Sequence, residues 1–216
     1  MKKQAQRKMK KSVVICLPNY VFIPFKYLIG IANLLLYKQD NYEIKGIATL
    51  DRLYIDYNRN IITRDALKLY NPDYLFWIDG DMVIEPDTIL RLLEHDKDVV
   101  SGLYFKKENY EPVVFNKKGK DYEPAMRWYP GKPFKVDAIG MGCCLIKSKV
   151  LRDIKSPWFV YDVKNNKGED IYFCEKIKRA KYDIWVDPDV LPTHLGMSEV
   201  GLEHFRAKFG QEDSPY

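Results

Sequence analysis

Apolar residues along the chain fall into short runs that alternate with helical spacings. Ser12 to Leu17 is nearly all apolar, as in a strand buried on both faces, and Pro18-Asn19 ends it. The stretch that follows predicts a helix through about Tyr37, and Tyr42 to Thr49 predicts a second strand. Over Asn58 to Tyr70, Ile62, Ala66 and Leu69 share one helical face, and Asn71-Pro72 stops the helix. Tyr74 to Ile78 (YLFWI) is the most strand-like run, and it leads straight into Asp79-Gly80-Asp81. Pro86 then opens a helix over Asp87 to His95, and Val99 to Phe105 is the next strand. The first half thus reads β-α-β-α-β-α-β, the pattern of a mainly parallel sheet covered by helices.

The second half is less regular. Residues 106–135 are polar, rich in Tyr and Pro, with short β-like pieces at PVVF and AMRWY. Val136 to Ile146 holds Gly140-Met141-Gly142 and then an apolar strand; Lys149 to Ile154 predicts a short helix, and 155–168 a loop around Pro157-Trp158-Phe159. Gly168-Glu169-Asp170 opens a helix with Ile171, Cys174 and Ile177 on one face, and Ile184 to Val186 is a last short strand. The expected organisation is a basic arm at 1–11, one α/β domain at 12–205 and a tail at 206–216.

Composition changes this picture little. Of 216 residues, 46% are apolar, enough for one core. The net charge is only +5, yet six of the first eleven residues are basic and none is acidic. Such a segment is ordinarily a solvated terminus, and its functional reading is weak contact with an anionic surface, lipid or nucleic acid. The apolar stretch from Val21 to Tyr37 contains Pro24, Lys26 and Asn33, which falls short of the about 18 apolar residues of a membrane span. No transmembrane segment and a cytoplasmic location are therefore expected. Cys16, Cys143, Cys144 and Cys174 form no C-x-x-C pair and read as reduced, structural thiols.

The chemistry centres on Asp79-Gly80-Asp81 at the C-terminal end of a buried strand, the edge where open α/β sheets gather ligands. Two carboxylates flanking a glycine can share Mg²⁺ or Mn²⁺, and the glycine admits a diphosphate to the backbone. A plain Asp-Gly turn is the alternative. An EF-hand loop is not supported, because Val83 and Glu85 do not continue its alternation of oxygen ligands. The LFWIDGDMVI run also fits the haloacid-dehalogenase phosphatase pattern, with Asp79 as nucleophile, although two β-α units precede the motif here.

An ordered set of further elements resembles the GT-A glycosyltransferases, especially compact bacterial, phage and large-virus members. These are Pro18-Asn19-Tyr20, Arg59-Asn60, FWIDGDM with Pro86-Asp87, VSGLYF, AIGMGCCLIK, PWF, GED and a late His194-Leu195-Gly196, spread from about Ser12 to Gly196. The resemblance implies a GT-A (Rossmann-like) single domain with a mixed, mainly parallel central sheet. It implies that Pro18, Asn19 and Tyr20 line the nucleotide base, with Asp51 at the base or ribose, and that Arg59 stands near the diphosphate. Asp79, Gly80 and Asp81 would meet ribose, diphosphate and metal, with His194 as a third ligand to Mn²⁺ or Mg²⁺ beside Asp79 and Asp81. Asp170, paired with Glu169, would be the catalytic base, and Trp158 would line the sugar side.

The implied activity is metal-dependent transfer of a sugar from a UDP- or GDP-linked donor to an acceptor hydroxyl with inversion. The acceptor is a glycan, a lipid-linked sugar or a modified nucleobase. The rival readings are a dehalogenase-like phosphatase using Asp79 and Asp81, and a non-catalytic glycan- or nucleic-acid-binding module.

Overall fold

The computed structural model describes residues 10–19, 23–51, 54–196 and 199–210. Its central sheet is built on β1 (Lys11–Asn19), which pairs in parallel with β2 (Tyr42–Asp51) on one side and β3 (Tyr74–Ile78) on the other. These strands carry fully buried runs, Val13 to Cys16 in β1 and Leu75 to Ile78 in β3, because helices cover both faces. Beyond β3 lie β10 (Cys143–Lys147), β5 (Val99–Gly102), β11 (Ile184–Asp187) and β8 (Phe134–Val136). The order is β2-β1-β3-β10-β5-β11-β8, with β10 and β8 running against the other five strands. The sheet is therefore mixed and mainly parallel.

The helices are α1 (Phe25–Leu36), α2 (Ile55–Asp65), α3 (Thr88–Glu94), α4 (Ser148–Ile154), α5 (Glu169–Arg179) and α6 (Leu202–Phe209). The predicted helix over Asn58 to Tyr70 is present as α2 followed by wider π-type turns at Ala66–Tyr70. It stops where Asn71 takes a left-handed conformation ahead of Pro72. Of the β-like pieces, the end of PVVF enters β6 (Val114–Lys118), which pairs with β7 (Asp121–Pro124) and β9 (Ala138–Ile139). AMRWY forms no strand, and Trp128 instead packs against Phe105 and Phe205. Phe205 belongs to α6, which spans the expected boundary between domain and tail and buries that ring completely.

A small second sheet matters most for the site. β4 (Met82–Val83) leaves the Asp79-Gly80-Asp81 turn directly and pairs antiparallel with β12 (Thr193–Leu195). β12 also pairs with β13 (Glu199–Val200). The Leu195 N–H donates to the Asp81 carbonyl at 2.7 Å, stitching the end of the chain to the turn after β3. All four cysteines are free and buried, as expected, and burial pushes their thiols up.

Candidate active site

Asp79 is the first residue after β3, and its own N–H donates to the Gly142 carbonyl at 3.2 Å. Its carboxylate is held by Arg59 of α2, whose Nη2 lies 3.0 Å from Oδ1 and 3.2 Å from Oδ2. The same guanidinium donates from Nε to Glu169 Oε1 at 3.3 Å. Arg59 is buried, with its charge over the rings of Trp77 and Phe159 at 5.7 and 5.9 Å. Burial alone would make the guanidinium easier to deprotonate, but Asp79 and Glu169 outweigh it and hold the charge. Arg59 is thus an internal counter-ion beneath the cleft, a different engagement from the expected seat beside a diphosphate.

Asn60 fixes the neighbouring loop. Its Oδ1 accepts the N–H groups of Trp158 and Phe159 at 2.8 and 3.2 Å, and its Nδ2 donates to the Phe159 carbonyl at 2.6 Å. Phe159 in turn stacks on Phe173 of α5 at 4.4 Å. This chain of contacts sets the position of the α5 N-terminus, where Glu169 and Asp170 sit. Glu169 is committed to Arg59, whereas Asp170 accepts the Ile171 N–H at 2.7 Å. Burial and the adjacent Glu169 carboxylate raise Asp170 to about 6, well above the ordinary carboxylate range.

On the other side of the turn, Asp81 Oδ2 lies 2.6 Å from Lys107 Nζ and 3.4 Å from His194 Nε2. Burial works against its ionisation, but hydrogen bonds from His194 and Lys107 win and lower it to about 2. His194 Nδ1 sits 2.9 Å from the Phe105 carbonyl, an acceptor only, so that nitrogen carries the proton. In the neutral ring, Nε2 then points a lone pair at a carboxylate. The imidazolium fills this contact by donating Nε2–H to Asp81, beside the Lys107 ammonium on the same oxygen, and in the neutral ring a metal cation can take the place of that proton. Asp81 and His194 therefore fit a divalent ion, with a carbonyl locking the imidazole as in known metal sites. Asp79 lines the same cleft, with Arg59 on both its oxygens. Among the described residues no three His, Cys, Asp or Glu side chains form a ready-made metal cluster.

Arg59, Asp79, Asp81, Glu169 and Asp170 border one cleft of about 430 Å³, lined also by Pro18, Pro24, Ile55, Gly80, Tyr104 and Met141, while His194 and Lys107 lie outside the lining and meet it through Asp81. Other clefts on the surface are as large, so chemistry rather than size sets this one apart. Most of the predicted residues meet here, though some do not. Asp51 ends β2 beside Asn19 of β1, exposed and outside the lining set, and Tyr20 lies outside the described residues. Trp158 is buried in the core, its Nε1–H donates to the Leu151 carbonyl at 2.7 Å, and it is not among the residues lining this cleft. Tyr104, which sequence reasoning passed over inside VSGLYF, accepts the Gly142 N–H at 3.0 Å and stands edge-on to His194. A Cβ at Gly142 would lie 2.8 Å from its ring, so the glycine is what lets Tyr104 close the cleft floor. His95 and His204 are accounted for structurally, by Asp187 at 2.8 Å and by the Gly201 N–H at 3.2 Å.

No family model and no curated protein sequence matches the chain. Solved structures do match. A197 from STIV is 22% identical, with a TM-score of 0.61 over 87% of this chain and 86% of that one. GalNAc-T7, solved with UDP, GalNAc and Mn²⁺, is 10% identical, with a TM-score of 0.59 over 83% of this chain and 43% of its own. The chain has a GT-A fold. This chain spans less than half the length of GalNAc-T7, and at these identities the likeness speaks for the fold alone. Within the GT-A fold, the cleft lies at the C-terminal edge of β1 and β3, where the sequence pattern located the site.

Proposed function

We propose that the protein is a metal-dependent glycosyltransferase that moves a sugar from a UDP- or GDP-linked donor to an acceptor hydroxyl with inversion. One observation carries this reading. A single cleft faces Asp79 and Asp81 on one wall and Glu169-Asp170 on another, with residues 90 positions apart joined through Arg59. Asp81 and His194 would hold Mn²⁺ or Mg²⁺, which when bound supplies charge to neutralise a diphosphate leaving group. Gly80 leaves room for the diphosphate at the backbone. Pro18, with Asn19 and Tyr20 following it, would border the base, and Asp51 the ribose side.

Asp170 is the group with the right chemistry for a general base. It stands at the start of a helix, its partner Glu169 is committed to Arg59, and a carboxylate near pH 6 can take a proton at neutral pH. As the acceptor oxygen bonds to the anomeric carbon, the bond from that carbon to the diphosphate breaks, and the acceptor's proton passes to Asp170. Attack from the face opposite the leaving group gives inversion.

The phosphatase reading needs Asp79 as a nucleophile, and both its oxygens are gripped by buried Arg59. The separating experiment is turnover. Incubation with nucleotide sugars and Mn²⁺ is expected to release nucleoside diphosphate, while p-nitrophenyl phosphate stays intact; the reverse result would overturn the proposal.

A further inference from the structure

Helix α1 is apolar on two sides. Tyr27, Gly30, Ile31 and Leu34 are buried against the sheet. Phe25, Leu28, Ile29, Ala32, Leu35 and Leu36 repeat the same helical spacing on the outside and are exposed, Phe25 and Leu36 to 75% and 76%. At 3.6 residues per turn these six project within an arc of about 120°. Lys26 is the only charged residue in the helix. An outward helix face ordinarily carries charged and polar side chains, and a contiguous apolar stripe of this kind marks a surface that something covers.

Two features flank the stripe. At its start, Pro24 borders the candidate active cleft, and Phe25 and Ile29 line an adjoining groove with Val83, Ile84 and Pro86. At its end, a few residues past Leu36, Asp40 pairs with Lys10 at 2.9 Å. Lys10 is where the basic N-terminal segment enters the fold, and residues 1–11 hold six Lys or Arg and no acid.

We propose that α1 lies flat on an anionic lipid surface, with its outer stripe in the headgroup boundary and the basic segment drawn to the headgroups. Apolar burial and basic charge are the two signals whose combination makes such binding stable. A 12-residue helix is about 18 Å long, too short to cross a bilayer, and no helix among the described residues is long and apolar enough to do so. A second copy of the chain is a poorer occupant. Stable protein interfaces use about 20–30 residues a side, against six here. This inference rests on the surface alone and stands apart from the transfer reaction.

The test is co-sedimentation of the full chain with phosphatidylcholine vesicles, with and without phosphatidylglycerol, at low and high salt. The wild type is expected to bind the anionic vesicles, less tightly but measurably at high salt. Leu28→Glu with Leu36→Glu is expected to weaken partition at least ~10-fold, since each substitution removes an apolar side chain that would enter the lipid. Leu36→Glu alone, at a highly exposed position, gives the same reading without touching the core. Absence of binding to anionic vesicles would overturn the proposal, as would unchanged binding by the variants. So would light scattering that shows a wild-type dimer split by these substitutions, which would assign the stripe to a second copy.

Discussion

At the residue scale, the site depends on how each charge is matched. Asp81 is the carboxylate held ionised, lowered to about 2 with His194 and Lys107 on the same oxygen. His194→Ala is therefore expected to weaken metal-dependent nucleotide binding at least ~10-fold, while His95→Ala and His204→Ala leave it near wild type. Calorimetry on the three variants checks this, and equal effects would remove His194 from the site. Arg59 is matched differently, to two carboxylates at once. Arg59→Met would leave Asp79 and Glu169 without their counter-ion and is expected to cost roughly 3–5 kcal/mol in denaturant unfolding. Asp79 is already raised by burial, and losing Arg59 raises it further. The deficit should then be largest at neutral pH and shrink in acid, as the carboxylates protonate.

The sequence pattern made Asp79 and Asp81 legible as candidates because they close a buried strand, whereas His194 and Asp170 were implied by the GT-A resemblance. It could not show that Arg59 turns inward, since a lone arginine on a helix reads the same whether it meets solvent or a buried acid. Nor could it separate a Trp158 that stacks on a ligand from one whose indole N–H is satisfied by Leu151.

At the element scale, the start of α5 has a pH signature. Asp170 rises to about 6 in the folded protein against about 4 in the unfolded chain, so the fold binds its proton more tightly. The cost of keeping Asp170 ionised is absent below about pH 4, grows between about 4 and 6, and is complete above. Asp170→Asn should accordingly melt a few degrees higher than wild type at pH 7.5 and lose that advantage by pH 4. The same variant should still bind donor but transfer sugar at least ~100-fold more slowly. Wild-type transfer should fall as pH drops through about 6, because the base is then protonated. Near-normal transfer by the Asn variant, or a product that NMR shows with retained configuration, would contradict the assignment. The helix itself was visible in the sequence from Gly168-Glu169-Asp170 and the apolar face behind it. By contrast α6 was missed. Its apolar positions are few, and the burial of Phe205 comes from Phe105 and Trp128, distant in sequence.

At the scale of the whole molecule, the alternation in the first half was enough to predict a mainly parallel sheet, because buried strands there are uninterrupted apolar runs. The antiparallel insertion of β10 between β3 and β5 was not legible, since an apolar run carries no direction. That insertion carries Gly142 to Asp79, and the pairing of β12 with β4 carries His194 to Asp81. Contacts from remote parts of the chain therefore complete a site whose first half is local. The assembled cleft is expected to bind a nucleoside diphosphate through a divalent ion. Isothermal titration of UDP and GDP, in Mn²⁺ and in EDTA, tests it on the wild type and on Asp81→Ala. Binding of at least one nucleotide is expected in Mn²⁺ alone, abolished by EDTA and by Asp81→Ala. Undiminished binding in EDTA, or no binding of either nucleotide in Mn²⁺, would contradict it.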